Sequence, residues 1–206
     1  MKLLRKQSIA LFFTVATLSL SAQNNKVLMT AFSQSYDYEA IAKYDAAISS
    51  LNAVYSDKSY EINLRMGWLN YSAGKYKESV TYYQKAITLM PAATEPKWAI
   101  INSYTKLESW NDIVNTYLSI LKLDPKNATA NYNLGSIYYF RKDYFSAKKY
   151  FDVSLNLYPF GYNNILMSAW TNYFLGNKNE AVTLFNKTLL YSPNDKSALE
   201  GLSLIK

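Results

Sequence analysis

The 206-residue chain contains neither cysteine nor histidine. The first absence excludes disulfides, thiolate nucleophiles and an anchor acylated through cysteine. Together the two exclude ordinary structural zinc sites and imidazole-based acid–base relays. Glycine and proline are scarce, at six and five, which argues against a many-turned β protein and suits a helical one. Charged residues are only 18% of the chain while half of it is hydrophobic, so it is not a disordered tail. No glycine-rich run ends in Lys-Ser or Lys-Thr to cradle a phosphate, and no alternating acidic loop offers a calcium site. What is abundant is tyrosine: twenty residues, beside nine phenylalanines and four tryptophans.

Lys2, Arg5 and Lys6 precede an uncharged, mostly apolar run from Ser8 to Leu20, and Ser19 to Gln23 supplies small residues. That order is the pattern of a secretory signal peptide over residues 1–22, with cleavage expected after Ala22 or after Ser21. The apolar run is shorter than the ~20 residues needed to span a bilayer. The membrane is therefore expected to be met only transiently, during export, and the location to be periplasmic or secreted. Export without cysteine fits a bacterial envelope. Without the segment the formal net charge falls from +7 to +4, and no nucleic-acid partner is expected. Arg141, Lys142, Lys148 and Lys149, interleaved with Tyr144 and Tyr150, read as a solvated helix face.

The remainder is periodic. Pro91, Pro125, Pro159 and Pro193 follow one another at intervals of 34. Tyr76, Trp110 and Tyr144 recur in phase, as do Tyr83, Tyr117, Phe151 and Phe185. Gly67 and Gly135 lie two periods apart, and Gly74 and Gly176 three. A fixed period of this size marks a stacked repeat array. Within residues 128–161, Asn131, Leu134, Gly135 and Tyr138 keep helical spacing, as do Ala147, Phe151, Ser154 and Leu155. The spacing predicts two helices joined by a turn near Arg141 to Asp143. Gly135 and Ala147 would allow close approach, and Pro159 would end the second helix.

On these residues the chain resembles the tetratricopeptide-repeat family. The unit 128–161 matches the family pattern at Leu134, Gly135, Tyr138, Tyr144, Ala147, Phe151 and Pro159. Units 60–93, 94–127 and 162–195 match less fully, with Asn70 and Ser79, Ile101 and Trp110, and Lys178 as departures. A degenerate repeat at 26–59 and a capping helix at 196–206 complete the reading of 23–206 as a single array. The resemblance implies an all-α solenoid of stacked antiparallel helix hairpins, forming a right-handed superhelix with a concave groove.

The resemblance also implies where function lies. Groove positions recur at the second, fifth, ninth, twelfth and thirteenth residues of each unit. They place Trp68, Tyr71, Trp98, Asn102, Tyr132, Tyr139, Trp170 and Tyr173 as candidate partner-binding residues, with Ser72, Lys106, Phe140 and Phe174 at the thirteenth. The basic clamp with which some family members grip a carboxylate is not expected, since Trp98 stands where its lysine would be. The acidic pairs Asp37 with Glu39 and Glu108 with Asp112 read as solvated turn residues. No catalytic residue, cofactor or metal is expected, and the chain is expected not to be an enzyme. The expected partner is a protein or peptide segment. A glycan, drawn by aromatic faces, and a second copy of the chain are the alternatives.

Overall fold

The computed structural model describes residues 25–205, so the expected signal peptide lies outside the described residues. Every regular element among them is an α-helix. The fold is organised as two compact units that divide between Leu107 and Glu108. The first unit holds α1 (25–40), α2 (Tyr44–Asn52), α3 (Tyr60–Ser72), α4 (Tyr76–Leu89) and α5 (Glu95–Lys106). The second holds α6 (Trp110–Leu123), α7 (Ala128–Phe140), α8 (Tyr144–Leu157), α9 (Tyr162–Phe174), α10 (Lys178–Tyr191) and α11 (Lys196–Ile205). None of these helices is long and apolar enough to cross a membrane.

The short turns inside hairpins have a common device. Ala42, Gly74, Glu108, Lys142 and Gly176 all adopt positive φ, between 55° and 78°. Four of these five are spaced by the 34-residue period, and Ala42 precedes Gly74 by 32. At Gly74, Lys142 and Gly176, inside one unit, the left-handed residue reverses the chain tightly enough to lay the second helix on the first. Glycine holds this conformation without strain at two of the sites. Asp143 reinforces one turn by capping α8, its Oδ1 accepting from the Ser146 amide at 3.1 Å. Hydrogen bonding from Ser146, through its side chain first and its amide second, holds the Asp143 carboxyl below its usual range.

Close packing inside a hairpin follows from the small residue at its eighth position. A Cβ built on Gly135 would lie 2.7 Å from the ring of Phe151, and one on Gly67 would lie 2.5 Å from the ring of Tyr83. The glycines thus seat an aromatic face directly on the backbone of the first helix. Between repeats, first helices also meet: α3 with α5 in unit 1, and α7 with α9 and α9 with α11 in unit 2. The buried core of unit 1 centres on Ala47, Leu51, Ile62, Met66 and Leu69, and that at the end of unit 2 on Ile165, Ala169, Ala181, Phe185 and Ala198.

Two departures from the family pattern have a structural reason. Ser79 stands at an alanine position, and its buried hydroxyl donates to the Gly67 carbonyl at 2.7 Å and meets Ser103 Oγ at 2.8 Å. Asn70 replaces an aromatic residue and donates its amide to the Met66 carbonyl at 2.8 Å.

A recurring donor at the fourth position satisfies the turns between repeats. Asn63 donates to the carbonyls of Asp57 and Ser59, and Asn131 to those of Pro125 and Asn127. Lys97 reaches the equivalent carbonyls of Pro91 and Ala93 with its ammonium group. Lys97 is buried, and burial lowers its pKa. Below that lowered value the lysine is charged in both folded and unfolded chains, and the folded state carries the whole desolvation cost. The cost is relieved as pH rises toward the ordinary lysine value. Lys97→Asn, which restores the neutral donor of the neighbouring repeats, is expected to stabilise unit 1 by about 1 kcal/mol at neutral pH. It should also abolish the alkaline gain, as urea denaturation at pH 7 and pH 10 would show.

Candidate functional site

The hairpin topology of unit 2 gathers aromatic side chains at one end. The last residues of α7 and α9 and the first of α8 share that end, because consecutive helices run antiparallel. Tyr144 stacks on Phe174 with centroids 4.6 Å apart, and Tyr139 meets Tyr144 at 5.6 Å and Phe174 at 6.0 Å. Trp170, one turn earlier on α9, and Tyr173, the preceding residue, pack beside Phe174 at 6.0 and 5.2 Å. Tyr139 also supports Phe140 edge-on at 5.5 Å.

Exposure separates the members of this cluster into a base and a surface. Trp170 is anchored inward: its indole N–H donates to Ser197 Oγ at 2.8 Å, and its ring abuts the buried Phe185 at 5.1 Å. Tyr139 is half-buried, and burial pushes its phenol pKa up. Phe140 and Phe174, by contrast, are 77% and 46% exposed. Beside them, Trp110, Ile137, Phe140 and Arg141 line a hollow of about 370 Å³. Arg141 is held there by donating from Nη2 to Asn111 Oδ1 at 3.1 Å. Large rings displayed on a packed aromatic base are suited to grip another surface.

Of the residues put forward by the repeat register, Tyr139, Trp170 and Tyr173 come together here. Tyr132 does not join them. It lies about two turns earlier on α7, packs on Phe151 at 5.8 Å and lines a separate cleft. In unit 1, Trp68 packs near Tyr71 at 6.1 Å, and Tyr71 near Tyr76 at 5.7 Å. Trp68 is partly exposed and donates its indole N–H to Glu39. Trp98 and Asn102 both lie on α5, the first half-buried and the second exposed.

Phe140 and Phe174, groove positions by the register but not among the eight candidate partner-binding residues, are the displayed rings of this cluster. Their signal was the thirteenth repeat position, which the register already placed toward the groove. Nothing in the cluster pairs a nucleophile with a base. Among the described residues no group of three acidic side chains is placed to hold a metal ion.

The tetratricopeptide-repeat family matches the chain twice, at residues 60–92 and 129–160, once in each unit. None of the curated proteins compared with the chain matches it. Among solved structures, a tetratricopeptide repeat protein from Parabacteroides merdae is 22% identical, with a TM-score of 0.69 over 87% of this chain and 72% of its own. The protein MamA is 16% identical, with a TM-score of 0.67 over 80% of this chain and 91% of its own. YrrB, described as a repeat protein with an unusual peptide-binding site, is 13% identical, with a TM-score of 0.67 over 90% of this chain and 97% of its own. These likenesses establish a shared fold of stacked helix hairpins, and with two repeats matched in sequence the chain belongs to the tetratricopeptide-repeat proteins.

Proposed function

We propose that the protein is a non-enzymatic interaction scaffold of a bacterial cell envelope, which docks a protein or peptide segment on the aromatic end of unit 2. The observation that carries this reading is the display of Phe140 and Phe174 on the rings of Tyr139, Tyr144 and Trp170. Aromatic side chains supply large contact area with few rotatable bonds, so little entropy is lost when a partner covers them. Arg141 and Lys142 at the rim add charge that steers an acidic partner without being buried. The fold is used for protein interaction in this family, and a peptide-binding site is reported for YrrB. The envelope location rests on the amino-terminal pattern of basic, apolar and small residues.

The test is capture of the partner from envelope extract by the protein and by a double variant, Phe140→Ser with Phe174→Ser. Binding is expected to weaken by about 2 kcal/mol or more. Phe140→Ser alone should leave the melting temperature nearly unchanged, because that ring is mostly in solvent. Equal capture by the double variant would place the interaction elsewhere.

A further inference from the structure

We propose that the cleft at the opposite end of α7 and α9 binds a neutral saccharide. The cleft measures about 490 Å³ and is walled by α7, the end of α8, α9 and the last turn of α10. That volume is in the range of small-molecule sites. Its walls carry Tyr132, Asn133, Tyr158, Asn163, Asn164 and Tyr191, and no lining residue is charged. A phosphorylated or carboxylated ligand would find no counter-charge there to offset its desolvation.

Some polar groups of the cleft are held in place, and others are left unspent. Ser154 Oγ lies 3.0 Å from Asn164 Oδ1, which commits the oxygen of that amide and leaves its NH₂ as a donor. The neighbouring Gly161 keeps space beside this NH₂: a Cβ there would come within 3.2 Å of it. Tyr162 is fixed by donating to Asp195 Oδ2 at 2.6 Å. In turn it supports the ring of Tyr191 at 5.6 Å, while Phe160 supports it at 5.4 Å. The side chains of Asn133 and Asn163 and the hydroxyls of Tyr132 and Tyr158 make no hydrogen bond among the described residues.

This combination has a chemical complement. An amide presents a donor and an acceptor side by side, as adjacent sugar hydroxyls do. The half-exposed rings of Tyr158 and Tyr191, 60% and 53% accessible, offer apolar faces to the C–H side of a pyranose. The site is independent of the aromatic surface at the other end of the hairpins.

The experiment is a printed array of neutral and acidic glycans probed with the purified protein, followed by calorimetric titration of the best neutral oligosaccharide. Retention on neutral glycans is expected, with affinity lowered at least ~10-fold in a Tyr158→Ala, Asn163→Ala double variant. Both side chains are exposed, so the variant should melt as the parent does. Phe140→Ser should bind the sugar normally, which separates this site from partner docking. Retention of no glycan, retention of acidic glycans alone, displacement only by an uncharged peptide, or undiminished binding by the double variant would each overturn the proposal.

Discussion

Gly135→Leu is expected to destabilise unit 2 by about 3 kcal/mol, the upper range for forcing side-chain volume into a packed interior. The reason is geometric. The first atom of any side chain at this position already lies 2.7 Å from the ring of Phe151. That ring is completely buried and also touches Tyr132, so it has no free space to move into. Leucine must therefore push α7 away from α8. Gly135→Ala, which adds the one clashing atom, should cost less but still be measurable. Urea denaturation monitored by far-ultraviolet dichroism gives both values. Unchanged midpoints would mean that the two helices do not cross at Gly135.

Glu39→Ala is expected to lower the stability of unit 1 by about 3 kcal/mol, because it leaves a buried cation without its counter-charge. Arg65 is only 8% exposed, and its Nη1 lies 2.5 Å from Glu39 Oε2. The guanidinium also donates from Nε to the buried Ser35 hydroxyl at 3.2 Å and lies 3.9 Å from the centre of the Tyr36 ring. Removing the carboxylate keeps these contacts but strands the charge. Glu39→Leu combined with Arg65→Met should recover most of the loss, since an apolar pair carries no desolvation penalty. A thermal melt in which Glu39→Ala matches the parent would show that Arg65 finds water instead.

These two results bear on how much of the molecule could be read from its residues. The 34-residue lattice locates the hairpins because the same physical tasks recur at the same positions: a small residue under an aromatic ring, a left-handed turn, a helix-ending proline. Gly135 with Phe151 was legible in that way. The pair of Glu39 and Arg65 was not, and Glu39 read as a solvated turn residue. Its partner lies on another helix, and no period relates a charge on α1 to one on α3. Lys97 was hidden for the opposite reason. It performs the task of Asn63 and Asn131 with different chemistry, so identity of residue type did not reveal the shared position.

The aromatic cluster of unit 2 was legible in part. The register brought out Tyr139, Trp170 and Tyr173, and these do assemble. It could not separate rings that form the base from rings that meet solvent, because helical spacing gives the face of a residue and not its neighbours. Trp170 lies against Phe185 through contacts between α9 and α10, whereas Phe140 projects from the last residue of α7. The division between Leu107 and Glu108 was likewise invisible in the period, which continues through it.

The docking of a protein partner on the aromatic end of unit 2 is tested most directly by photo-crosslinking in the cells that make the protein. A benzophenone amino acid would replace Phe140, Phe174 or, as a control at the far end of a hairpin, Leu190, which is equally exposed at 76%. The account predicts one discrete adduct from positions 140 and 174 and none of that mass from position 190. The same adduct from all three positions, or from position 190 alone, would contradict it.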